Sequence, residues 1–181
     1  MERCMEDSCY RKGGIRTIDL AESIENSIEL PLTIIGLGNE LKGDDGVGVY
    51  IARKLRSLGH SSIIVAGISI ENHVYRVLEF DPRTVILIDA IEAGLEPGSI
   101  VLGDVKNVVH EFVPITTHTI PLPLIIRIVE RELGHSVKWL LLGIQVGSTT
   151  IGEPISEDVK ESADIVIKIL HGILKKLFSN S

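Results

Sequence analysis

The chain predicts an α/β fold: an open, twisted, mostly parallel sheet with helices on both faces. Three observations carry this expectation. From Leu32 onward, strand-like and helix-like segments alternate with short connections, the pattern of helices crossing over a parallel sheet. The run Val85-Ile86-Leu87-Ile88 shows no polar alternation, as suits a strand covered on both faces. The 181 residues are 44% hydrophobic with mean hydropathy +0.28, enough for one domain with a buried core.

Residues 1–31 read as an N-terminal arm and 32–181 as a single α/β domain. The arm is expected to be disordered over 1–16, ending in Lys12-Gly13-Gly14. A short amphipathic helix over 17–30 would use Ile18, Leu20, Ile24, Ile28 and Leu30, and Pro31 ends it. Leu32–Gly36 is a strand, Val47–Leu58 a helix, and Gly59 sits where a left-handed cap is expected. Ser62–Ala66 is the second strand. Ile70–Phe80 is a helix stopped by Asp81-Pro82. Thr84–Asp89 is the third strand, and the turn Glu96-Pro97-Gly98 leads to an edge strand over Ser99–Leu102. Leu122–Leu133 is a helix whose start is blurred by Pro121 and Pro123, and Lys138–Ile144 is a strand. Ser156 is expected to cap a last helix to about Phe178. Its stripe is Val159, Ala163, Val166, Leu170, Ile173, Leu174 and Leu177.

Charge and composition remove several classes. A net charge of −7 argues against a nucleic-acid partner, which needs clustered Lys and Arg. No apolar run approaches the roughly 20 residues of a membrane span, so no membrane insertion is expected. Met1–Asp7 has no apolar h-region, so no export signal is expected and the location is read as cytoplasmic. Cys4 and Cys9 read as free thiols. The chain is expected to act as a monomer.

The run Gly36-Leu37-Gly38-Asn39-Glu40-Leu41-Lys42-Gly43-Asp44-Asp45-Gly46-Val47-Gly48 stands where a dinucleotide binder would place its phosphate loop. Its two aspartates repel an anion and welcome a cation. The Gly-x-Gly-x-x-Gly fingerprint fails at Leu41, and the second strand ends Val65-Ala66-Gly67 without the ribose-binding acid. Asp-Gly is also a common turn and Asp a good helix cap, which accounts for one aspartate better than for two. Asp44 is divided between capping and function, and Asp45 is expected to be functional. Asp89, after four large aliphatics, needs a partner because a buried unpaired charge is costly. His118 lies in the polar segment Thr116-Thr117-His118-Thr119 before a predicted helix. Ligands of open α/β sheets bind beyond the carboxyl ends of the strands, which would bring Asp45 and Asp89 to one rim. Two carboxylates and an imidazole suit a borderline-to-hard metal. No Gly-x-Ser-x-Gly elbow or His-Glu-x-x-His helix is present.

These segments resemble the [NiFe]-hydrogenase maturation endopeptidases. The run 36–48 is similar to the family's opening motif. Ile88-Asp89-Ala90 with Gly94-Leu95-Glu96-Pro97-Gly98 resembles its second acidic motif, Thr116–Leu122 its histidine motif, and Leu142-Gly143-Ile144-Gln145 its late strand. The likeness spans about residues 32–174. It is nearest to the branch that processes large subunits of formate-hydrogenlyase-type hydrogenases. The resemblance implies an endopeptidase that removes the C-terminal extension of a hydrogenase large-subunit precursor after nickel insertion. It further implies Asp45, Asp89 and His118 as catalytic and nickel-contacting residues, with nickel carried by the substrate and no nucleotide. Val146 stands where the family often has Pro. Two other readings stay open on the residues: a non-catalytic nickel-dependent checkpoint or chaperone with the same ligands, and a nucleotide-binding enzyme.

Overall fold

A seven-stranded sheet organises the described residues, and its order is β1-β5-β7-β4-β2-β3, with β6 paired to β4. The structure is a computed structural model that describes residues 9–10, 17–108, 113–114 and 120–179. The strands are β1 Cys9–Tyr10, β2 Leu32–Leu37, β3 Ile63–Gly67, β4 Thr84–Glu92, β5 Ile100–Asp104, β6 Val113–Pro114 and β7 Lys138–Gln145. The helices are α1 Thr17–Ser27, α2 Val47–Ser57, α3 Val74–Phe80, α4 Val105–Val108, α5 Leu122–Leu133 and α6 Glu157–Ser179. The core strands β7, β4, β2 and β3 run parallel, whereas β5, β1 and β6 are antiparallel to their neighbours. The mostly parallel α/β sheet expected from the alternation is the one found.

The pleat divides the core into two layers. Ile34, Ile86, Ile88, Leu140 and Leu142 face α1, α2 and α6. Ile35, Val85, Leu87, Ile91, Trp139 and Leu141 face α3 and α5. Each such side chain contributes about 1.5–3 kcal/mol when fully buried, which explains why the middle strands carry no polar alternation. The stripe of α6 holds: Val159, Ala163, Val166, Leu170, Ile173 and Leu174 are buried and Leu177 packs beside them.

Several boundaries differ from expectation for identifiable reasons. Cys9–Tyr10 lies within the stretch expected to be disordered, yet it pairs with Ile100 and Val101 of β5. So β5, expected at an edge, has a neighbour on both sides. The remainder of 1–16 is outside the described residues. Leu20 and Ile24 of α1 enter the core, while Leu30 is exposed. Strand β4 continues three residues past Asp89 because β7 pairs with it through Ile91. The segment 70–80 begins as a 3-10 turn, Ile70–His73, before α3. α3 then stops at Asp81, whose φ of 44° is left-handed. Pro121 precedes α5 and Pro123 lies in its first turn, where the missing N–H has no helical acceptor to lose.

Candidate functional site

The loop between β2 and α2 is shaped by backbone closeness that only glycine permits. A Cβ on Gly48 would lie 2.2 Å from the Ile88 carbonyl oxygen and 2.4 Å from that of Leu37. This contact seats the start of α2 on the carboxyl ends of β2 and β4. Gly38 has φ 126°, and a Cβ there would strike the Asp45 carbonyl oxygen at 1.8 Å. The Gly38 N–H donates to the Gly67 carbonyl at 2.9 Å, tying the loop's entry to the end of β3.

Inside the loop the polar groups close on one another. The Asn39 side-chain carbonyl accepts the Leu41 N–H at 3.0 Å, and the Asn39 N–H donates to Asp45 Oδ2 at 3.2 Å. The Asp45 N–H donates to the Lys42 carbonyl at 3.0 Å. Residues Gly43–Gly46 form a 3-10 turn running into α2, which packs against β4. Both aspartates therefore sit at a helix N-terminus, where negative charge is favoured.

The two carboxylates differ in role. Asp44 is fully buried, at 0% exposure. Its Oδ2 accepts the N–H groups of Gly147 at 2.7 Å and Ser148 at 3.0 Å, and the Ser156 hydroxyl at 3.0 Å. Its Oδ1 accepts the Ser156 N–H at 2.6 Å. Ser156 stands before α6, and the Lys160 N–H bonds to its carbonyl. Its hydroxyl, expected to cap that helix, goes to Asp44 instead. Asp44 thus joins two distant loops, an outcome that divided expectations for this residue left open.

Asp45 is 3% exposed. Its Oδ1 is buried and has no hydrogen-bond partner among the described residues. Burial pushes its carboxyl above the ordinary range, against smaller opposing effects from the Asn39 N–H and the Lys42 ammonium. A sealed carboxylate oxygen without a donor is an energetic liability. A cation arriving there would relieve it, so this donor fits a metal ion.

Asp89 is 1% exposed, paired in register with Gly143. Its Oδ1 accepts the Ala90 N–H at 2.9 Å. Since Leu87 and Ile91 belong to the α3/α5 layer, the pleat points Asp89 to that face. Asp45 and Asp89 thus lie beyond and at the carboxyl ends of adjacent parallel strands. His118 lies outside the described residues. The chain re-enters at Ile120, which packs against the same α3/α5 layer. Among the described residues no group of three His, Cys, Asp or Glu side chains is placed to hold a metal.

Gln145 was visible in the sequence only as part of a motif, yet its amide is buried and fully engaged. Its Oε1 accepts the N–H groups of Ala93 at 2.8 Å and Leu95 at 3.3 Å. Its Nε2 donates to Glu92 Oε1 at 3.1 Å and the Val146 carbonyl at 3.0 Å. It fastens the segment that follows β4. Val146 donates its N–H to the Ile91 carbonyl at 3.2 Å, a bond proline could not make. Two side chains beside the loop face solvent: Leu41 is 71% exposed and Ile151 is 74% exposed. The Gly152 N–H donates to the Leu41 carbonyl at 2.8 Å, which holds these two tips together.

Comparison with known proteins gives this geometry a context. Residues 47–173 match the family model described as hydrogenase maturation protease. The chain is 29% identical over 141 residues to the hydrogenase 3 maturation protease of Escherichia coli K12, covering 77% of this chain and 88% of that protein. The crystal structure of a [NiFe] hydrogenase maturation protease, HycI, from Thermococcus kodakarensis superposes with TM-score 0.73 at 30% identity. That match covers 84% of this chain and 99% of the other. The solution structure of the endopeptidase HycI from Escherichia coli superposes with TM-score 0.64 at 27% identity, over 78% and 89% of the two chains.

Proposed function

Because the chain belongs to the hydrogenase maturation protease family, and so is a processing peptidase, we propose that it cleaves the C-terminal extension from a [NiFe]-hydrogenase large-subunit precursor once nickel is in place. The single observation that carries this reading is the Asp45 Oδ1 atom, buried at the carboxyl edge of the sheet without a donor among the described residues. That atom suits a cation delivered by the substrate. Asp89, on the neighbouring strand, is a second oxygen donor of the same hard character. His118, two residues before Ile120, completes the set as an imidazole. Nickel is the substrate's cargo in this reading, and the three side chains meet it or its immediate surroundings when the precursor docks.

Peptide hydrolysis requires an activated water and a polarised carbonyl. A bound divalent ion supplies Lewis acidity at such a site. The chain's own part is to hold two carboxylates near the scissile bond, where one accepts a proton from water. Asp45 is one of the two, with its Oδ2 on the Asn39 N–H. The loop clamps at Gly38, Asn39 and Asp44 keep this carboxylate in place.

The test incubates the full chain with nickel-loaded and nickel-free precursor and follows the C-terminal peptide by mass. Release from the loaded form alone is the expected result. Tight binding without release would instead fit a checkpoint protein, and equal release from both forms would remove nickel from the recognition step. Asp45→Ala, Asp89→Ala and His118→Ala should each abolish release while the circular dichroism spectrum stays native. Wild-type cleavage by any of them removes that residue from the set.

A further inference from the structure

We infer that Asp44 is a positioning residue for the reaction: its carboxylate holds the β2–α2 loop against the β7–α6 loop and thereby sets where Asp45 meets the substrate. The inference rests on the assignment of Asp45 above.

The geometry is acceptor-only. Four donors converge on Asp44: three at Oδ2, from Gly147 N, Ser148 N and Ser156 Oγ, and Ser156 N at Oδ1. A carboxylate offers about four lone-pair sites and no donor, so ionised Asp44 meets this set. Asparagine does not, because its NH₂ would face an N–H on whichever side it took. The loop is also held in the opposite sense, since the Asp44 N–H donates to the Ser148 carbonyl at 2.9 Å. Gly43 lies against the same carbonyl, which a Cβ would approach to 2.7 Å.

Asp45 is the next residue, and its own anchoring is thinner. Among the described residues its side chain accepts one hydrogen bond, from Asn39 N at 3.2 Å. An unpartnered carboxylate oxygen would turn toward water if its backbone were free to move. The neighbouring clamp removes that freedom. Misplacing a reacting group by about 1 Å can cost on the order of 100-fold in rate, and sites hold their geometry through such supporting hydrogen bonds.

The test compares the full-length wild type, Asp44→Asn and Ser156→Ala on nickel-loaded precursor, well below each melting temperature. It reads kcat, KM and the ¹H–¹⁵N resonance of the Asn39 amide, which reports on the Asp45 carboxylate. For Asp44→Asn, kcat should fall by about 10- to 100-fold with KM little changed, and the Asn39 resonance should shift. Ser156→Ala, which removes one of the four bonds, should show both effects in smaller measure. It carries the test alone if Asp44→Asn does not fold. A wild-type kcat in these variants overturns the inference. So does a reduced kcat with an unmoved Asn39 resonance, since Asp44 would then act otherwise than through Asp45. If Asp45→Ala cleaves normally, the assignment of Asp45 has failed. If Asp45→Ala is inactive while Asp44→Asn is normal, only the present inference has failed.

Discussion

Replacing Gly48 with alanine sets two effects of known sign against each other. Within an exposed helix, Ala is more favourable than Gly by about 0.8–1.0 kcal/mol, so propensity alone predicts a gain. Here the added Cβ would meet the Ile88 oxygen at 2.2 Å and the Leu37 oxygen at 2.4 Å. Both fall more than 1 Å short of the roughly 3.5–4.0 Å optimum for non-bonded atoms. Both atoms are backbone carbonyls of packed strands, which cannot rotate aside as a side chain could. Overpacking of this kind costs about 1–3 kcal/mol, and the absence of a flexible neighbour places it at the upper end. The balance is a net loss of about 2 kcal/mol, or roughly 4–8 °C in melting temperature for a chain of this length. Urea unfolding of wild type and Gly48→Ala checks it. Gly172→Ala serves as the control, because that position in α6 is exposed with nothing within 4 Å of an added Cβ. It should gain up to about 1 kcal/mol. Activity should fall with Gly48→Ala, since the displaced carbonyl belongs to the residue before Asp89. A Gly48→Ala protein as stable as wild type would refute the close approach of α2 to β4.

Asp45→Asn should abolish precursor processing and raise stability at neutral pH. Burial raises the Asp45 carboxyl, so the folded chain holds that proton more tightly than the unfolded chain. Wild-type stability therefore falls as pH rises from below the unfolded value through the raised one. Denaturation curves across that range should show this slope in wild type and lose it in Asp45→Asn. His60 behaves in the opposite sense. Its Nε2 lies 2.8 Å from His171 Nδ1, and burial first, then the His171 charge, lowers its pKa. The unfolded chain then takes up a proton first, so stability is present above the ordinary histidine value and lost as pH falls through the lowered one. The melting temperature should drop as pH falls from above the ordinary histidine value through the lowered one, and by less in His60→Gln, as read by calorimetry. Val146→Pro should cost about 0.5–1.5 kcal/mol through the lost bond to Ile91 with cleavage unchanged; an equal melting temperature would show that bond to be idle.

The sheet was legible because burial on two faces leaves a local mark. Val85–Ile88 and Trp139–Leu142 read as strands without reference to anything distant. The rim was legible in part: Asp45 and Asp89 follow from the rule that ligands gather at carboxyl ends of parallel strands, and both stand there. The division of labour between Asp44 and Asp45 was not legible. The two are identical and adjacent, and what separates them is a set of donors 103 to 112 residues further along. Ser156 misled for the same reason, since a serine before a helix looks the same whether its hydroxyl turns to the helix or away. The pairing of His171 with His60 was equally hidden, because the two come from different elements. The direction of β5 also escaped, because an apolar strand carries no mark of parallel or antiparallel pairing.

The Asp44 anchor has a consequence for the order of folding. Its donors lie between the end of β7 and the start of α6, so the Asp44 end of the loop cannot be fixed until β7 has joined the sheet and α6 has begun. Contacts this far apart in sequence form late, because the loop between them must close first. During synthesis, the β2–α2 segment leaves the ribosome long before its anchor does. On the function proposed above, the peptidase would therefore be assembled last at the loop that carries Asp45, and in a chain still being made Asp45 would be held only by its local bonds to Asn39 and Lys42.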